Sequence, residues 1–182
     1  YFEEALRRDP GDIRTNTIVG NNYLKNGDYI KARTYFARAI RRLTKDYTRP
    51  SNCEPLYLQG LTLKALGLYD EAVDTLYRAT WDYAWHSAAY LELARISSMK
   101  GDMIKALKEV EESLSTNSRN NPAIELKSSL LRKTGDYKGS AELIESILKN
   151  DPLDFRAAND YYLALRDLNE KQKAEAILEE MT

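Results

Sequence analysis

The chain has a single cysteine, Cys53, and a single histidine, His86, among its 182 residues. One cysteine excludes an internal disulfide and a cysteine-built zinc site. One histidine, with no nucleophile or acid at a recognisable spacing, leaves no catalytic set to assemble and no metal site. Neither enzymatic activity nor a cofactor is therefore expected. The eight glycines are scattered, so no phosphate-cradling loop exists. Apolar runs are only a few residues long, too short to span a bilayer. A net charge of −1 argues against a nucleic-acid binder. The basic run RRLTKDYTR (41–49) lacks a second basic face and interleaved stacking aromatics. The chain opens on Tyr1 without a charged-then-apolar leader, as expected of a fragment or a processed chain. The compartment stays open, although a single cysteine fits the cytoplasm.

What the sequence does have is a period. NGDY (26–29), LGLYDEA (66–72), KGDM (100–103) and TGDYKGS (134–140) mark one recurring turn, with Gly27, Gly67, Gly101 and Gly135 at its centre. A further 34 residues lead to Asn169, and asparagine is second only to glycine where a helix ends with positive φ. Registering on these residues puts repeats at 13, 53, 87, 121 and 155, with a partial unit over 1–12 and an insertion loop over 45–53.

The eighth position of each unit is then Gly20, Gly60, Ala94, Ser128 or Tyr162, and the twentieth Ala32, Ala72, Ala106, Ser140 or Ala174. The twenty-fourth is Phe36, Leu76, Val110, Ile144 or Leu178, and the twenty-seventh Ala39, Ala79, Ser113, Ile147 or Met181. Small residues allow two helices to approach, and the bulky one fills the space beside them. Tyr162 is too large for that approach, so the fifth unit is expected to pack more loosely.

This pattern resembles the tetratricopeptide repeat, a helix–turn–helix unit of 34 residues. The resemblance implies an all-α fold, a solenoid of about five units. Helix pairs are expected over 13–26/29–44, 54–66/69–82, 87–99/103–116, 121–133/137–150 and 155–167/170–181.

It also implies that the first helix of each unit lines a concave face that binds polypeptide. The matching positions carry Arg14, Asn21, Leu24 and Lys25 in the first unit, Tyr57 and Leu61 in the second, and Leu91 and Arg95 in the third. Glu125, Arg132, Arg156, Asp160 and Asp167 follow in the last two. The carboxylate clamp of chaperone-binding members is absent: Thr17 stands for its first lysine, Leu58 for an asparagine, and Ala88 and Glu92 for its final pair. An apolar strip of Leu24, Tyr57, Leu61 and Leu91, flanked by Arg14, Asn21, Lys25 and Arg95, suits a protein segment with apolar anchors and an acidic group. Ordinary solvated helix faces are the alternative. The expected partner is a protein or peptide segment, or another domain of the same chain, and neither nucleic acid nor membrane.

The stretch TWDYAWHSAAY (80–90) gathers both tryptophans and the histidine. The register places Trp81, Trp85 and His86 at the end of a second helix and in the turn after it, where the tryptophans are expected to form a structural wedge, Trp81 being largely buried. LYRATWDYAWHSAAYLELA, with SLSTNSRNNPA downstream, is also similar to a segment of large bacterial proteins that carry a mutarotase-like β-sandwich. That likeness implies, as the alternative, an accessory helical module of a carbohydrate-active protein, with Trp81, Tyr83 and Trp85 stacking on sugar. Residues 1–49 hold eleven Lys/Arg against six Asp/Glu, and residues 151–182 four against eight. With no polar cap at either end, weak end-to-end self-association is expected.

Overall fold

The computed structural model describes residues 2–46 and 49–180, apart from the Glu180 side chain. The positions read above for Tyr1 and Met181, and Tyr47 and Thr48 of the insertion loop, lie outside the described residues. Eleven α-helices and no strand occur among the described residues. They are α1 (Phe2–Arg8), α2 (Ile13–Lys25), α3 (Tyr29–Leu43), α4 (Glu54–Ala65), α5 (Tyr69–Ala79), α6 (Tyr83–Met99), α7 (Met103–Thr116), α8 (Asn121–Lys133), α9 (Tyr137–Leu148), α10 (Phe155–Asp167) and α11 (Lys171–Glu180).

The turns explain themselves residue by residue. Gly27, Gly67, Gly101 and Gly135 have φ of 78°, 75°, 84° and 91°, and Asn169, at φ 64°, takes the same left-handed place. The following N–H reaches back across the turn each time: Asp28 to the Tyr23 carbonyl and Glu170 to that of Leu165, both at 2.9 Å. This satisfies a carbonyl that the helix end would otherwise leave open. In three turns the residue after glycine is aspartate, and its carboxylate caps the next helix. Asp28 accepts from the Lys31 N–H, Asp102 from Lys105 and Asp136 from Gly139.

Two compact units divide the chain, Tyr1–Ile96 and Ser97–Thr182. In the first, Ala32, Phe36 and Ala39 of α3 and Ala72, Leu76 and Ala79 of α5 are fully buried. Glycine on the preceding helix is a steric requirement: a Cβ on Gly20 would lie 2.7 Å from Phe36 Cε1, and one on Gly60 2.5 Å from Leu76 Cγ. Cys53, Leu56, Leu63, Leu76, Leu93 and Ile96 belong to one core cluster.

In the second unit Ile124, Ile144, Ile147 and Ala157 form the core. Ser128 and Ser140 occupy the two small-residue positions of α8 and α9, and their hydroxyls satisfy each other at 2.7 Å. Ser97 Oγ donates to the buried Glu109 carboxylate at 2.5 Å. In the last pair Tyr162 is half-buried beneath the Arg166 guanidinium, 5.8 Å from its ring, and Leu178 is left 46% exposed.

The structure departs from the expected register in one place. α5 ends at Ala79, and α6 begins at Tyr83 instead of Ser87. Asp82 is the cause. Its Oδ1 accepts from the Ala84 N–H at 3.0 Å while its carbonyl accepts from Trp85, starting a helix four residues early. Trp85 and His86 therefore sit in the first turn of α6, not in a connecting turn.

Candidate binding groove of the first unit

The first helices of the Tyr1–Ile96 unit are α2, α4 and the part of α6 up to Ile96, and they carry the apolar strip and the flanking residues Arg14, Asn21, Lys25 and Arg95 read from the sequence. Leu24 of α2 and Tyr57 and Leu61 of α4 pack, half-buried, against Ala32, Phe36 and Leu58, so the apolar strip is continuous. Leu91 does not extend it. At 7% exposure its side chain is committed to the interior, a correction to its expected place on the strip.

Trp85 takes the place next to the strip. Its ring stacks on Tyr57 with centroids 4.8 Å apart and planes inclined by 28°, in the geometry that aromatic quadrupoles favour. Trp81 behaves differently from the buried wedge expected of it. It lies in the turn before α6, 43% exposed, with the Arg49 guanidinium 5.3 Å from its ring. The early start of α6 turns Trp85 inward and leaves Trp81 outside.

Polar groups are arranged around the strip. Glu92, on α6, is only 5% exposed, and Lys64 of α4 and Arg95 of α6 both pair with its carboxylate, Arg95 Nη1 at 2.5 Å. Two cations on one carboxylate leave the cluster positive. Burial pushes the Tyr57 hydroxyl pKa up, and the Glu92 charge adds to that against Arg95. At the other end a cleft of about 660 Å³ is lined by Arg14, Thr17, Ile18, Asn21, Arg42 and Glu54, among others. Arg14 and Lys25 are exposed and enter none of the ion pairs among the described residues.

The equivalent surface of the Ser97–Thr182 unit is charged and partly paired within itself. Arg132 Nε pairs with Asp167 at 2.9 Å, and Arg156 Nη1 meets Glu125 at 3.4 Å. At half-buried Asp160, burial and then Glu125 raise the carboxyl pKa. Lys133, at the repeat position equivalent to Lys25, and Arg166 are exposed and, like Arg14 and Lys25, enter none of the ion pairs among the described residues. Residue spacing alone did not signal the Lys64–Glu92–Arg95 pairing or the capping role of Asp82. Among the described residues no group of His, Cys, Asp and Glu is placed to hold a metal ion, and no helix is long and apolar enough to cross a membrane.

Helix pairs closed by left-handed turns, with small residues facing bulky ones, define a helical-repeat protein. The family model for the tetratricopeptide repeat matches residues 20–84 and 126–182, more than half of the chain. The chain belongs to that family. MamA from Desulfovibrio magneticus RS-1 is similar over 93% of this chain and 92% of its own, with TM-score 0.78 and 16% identity. YrrB, described as a TPR protein with an unusual peptide-binding site, is similar over 100% of this chain and 90% of its own, with TM-score 0.74 and 15% identity. The Cut9–Hcn1 hetero-tetramer of the APC/C contributes a chain similar over 99% of this one and 35% of its own, with TM-score 0.76 and 16% identity. At these identities the likeness is one of fold.

Proposed function

We propose that the Tyr1–Ile96 unit is a non-catalytic docking surface for a protein segment, supplied by a partner or by another domain of the same chain. The segment sets apolar side chains on Leu24, Leu61 and the Tyr57–Trp85 stack, and an acidic group near Arg14, Lys25 or Arg95. The observation that carries this reading is the continuous apolar strip with exposed cations on the same helices. Leu24, Tyr57 and Leu61 form one apolar strip, and Arg14 and Lys25 are exposed on the helix that carries Leu24, outside every ion pair among the described residues. YrrB's described peptide-binding site supports the class of partner. Display selection against the whole chain tests the reading. Selected segments should combine apolar and acidic residues and lose at least about tenfold in affinity on Leu61→Arg or Arg14→Glu. Segments that bind both variants as well as the parent would overturn it.

One observation favours a second reading, that of an accessory module for carbohydrate. Trp81 and Tyr83 are 43% and 76% exposed, and the Arg49 guanidinium lies 5.3 Å from the Trp81 ring, so a sugar would reach Trp81 by its free face. A panel of oligosaccharides titrated against tryptophan fluorescence tests it. A saturable change that vanishes in Trp81→Ala supports the sugar reading, and an unresponsive spectrum rejects it.

Weak self-association draws support from exposed Leu153, Phe155 and Leu178 in the acidic last third of the chain. Sedimentation across protein and salt concentrations checks it, a strictly monomeric chain being the contrary result.

A further inference from the structure

The second half of α3 carries Arg38, Arg41, Arg42 and, just past its end, Lys45. The spacing of three and four residues puts the three arginines on one stripe of α3, and Lys45 lies beside them in the same cleft. Facing this stripe is the turn between α1 and α2, where Asn16 Nδ2 donates to the Pro10 carbonyl at 3.0 Å and fixes the loop. Gly11 has no side chain, and Arg42 Cδ lies 3.8 Å from where its Cβ would be, so the aliphatic stem of Arg42 runs along the turn. Pro10, Gly11 and the four cationic side chains line an open cleft of about 510 Å³, with no carboxylate in its lining.

Helix-end electrostatics account for part of this cluster only. Arg41 and Arg42 in the last turn complement the α3 dipole, but Arg38 lies a turn earlier and Lys45 lies beyond the helix. Elsewhere on α3 cations have partners: Arg33 pairs with Glu71 at 2.7 Å and Lys31 with Asp28 at 2.9 Å. Four like charges around one cleft repel one another, and the neighbouring Asp9 carboxylate, held on the Gly11 N–H at 3.0 Å, offsets only one of them.

The form of the cleft narrows the anion. Its lining offers no ring for base stacking, and the nearby Tyr35 ring is covered by the Arg38 guanidinium at 5.2 Å. The site is open but local, bounded by six residues, whereas a lipid surface is suited by an extended basic face. Arg42 and Gly11 also line the 660 Å³ cleft beside Arg14 and Asn21, so the basic cleft and the groove share a border.

We infer that this cleft receives an acidic stretch, rich in Asp or Glu, of the same polypeptide segment that occupies the groove. The inference rests on the segment-binding reading for its second half. The partner is then a segment in which apolar anchors adjoin a run of carboxylates.

Fluorescence anisotropy on the whole chain at low salt tests the two halves apart. The first probe is a labelled oligo-glutamate of about eight residues. It should bind, weaken as salt is raised, lose at least about tenfold in affinity in Arg38→Gln/Arg41→Gln, and be unaffected by Leu61→Arg. Thermal melting confirms that these surface variants stay folded. The second probe is a groove-selected segment with and without an appended glutamate run. The run should tighten binding at least about tenfold, and the gain should disappear in the double variant. An oligo-glutamate affinity unchanged by that variant, or tighter binding by an oligouridylate of the same length or by anionic vesicles, overturns the cleft. If the oligo-glutamate binds as stated but the appended run adds nothing, the link to the groove is overturned and the cleft stands alone.

Discussion

Tyr57 on α4 and Trp85 on α6 stack at 4.8 Å, and that contact decides which of the two tryptophans is structural. Trp85→Ala removes the stack and the ring's packing on the core cluster, and should cost about 2–3 kcal/mol in chemical denaturation. Trp81→Ala, in an exposed turn, should cost less than about 1 kcal/mol. A larger loss for Trp81 than for Trp85 would reverse these assignments.

Gly60 and Asn169 test the two uses of small or flexible residues in the repeat. A methyl group on Gly60 has no room against Leu76, so Gly60→Ala should destabilise by about 1–3 kcal/mol. Asn169 holds a left-handed φ of 64°. Asn169→Ala should cost about 1 kcal/mol, and Asn169→Gly should be near neutral or slightly stabilising. Urea midpoints measure all three.

This also indicates how far the residues alone speak for the structure. The turn recurs with a chemistry visible in the string: glycine or asparagine to close a helix, then often aspartate to cap the next. The start of α6 was hidden because the period points to Ser87, while Asp82 caps locally and recruits four more residues. The Tyr57–Trp85 stack was hidden for a different reason: several aromatics share that neighbourhood, and only the helix start decides which one turns inward. Leu91 was misplaced by the same rule of position, which takes no account of how deeply α6 is seated. The stripe from Arg38 to Arg42 is legible as helical spacing, but its facing wall at Pro10 and Gly11 comes from a distant turn.

Asp160 should give stability a pH dependence of definite sign. Its carboxyl pKa is raised in the fold by burial and by Glu125, so the folded state holds the proton more tightly than the unfolded chain does. Stability is therefore lost as pH rises from the unfolded value, near about 4, through the folded one. Asp160→Asn should raise the denaturation midpoint at neutral pH, with the advantage shrinking to nothing in acid. A variant less stable than the parent at neutral pH would contradict this.

Cys53 should be slow to react. It is fully buried, its Sγ lies 3.7 Å from both the Pro50 and Arg78 carbonyl oxygens, and burial followed by the Asp82 charge raises the thiol pKa. Ellman's reagent at mildly alkaline pH should label the native chain far more slowly than the unfolded one. Equal rates would show that the 50–53 connection opens freely.

A segment docked in the proposed groove lies along α2, α4 and α6 of the first unit. Amide chemical-shift mapping of the whole chain with a selected apolar–acidic segment tests it most directly. The largest shifts should fall around Asn21–Lys25, Tyr57–Leu61 and Glu92–Arg95, with residues 121–180 nearly unmoved. Shifts concentrated on α5, or confined to 121–180, would contradict it.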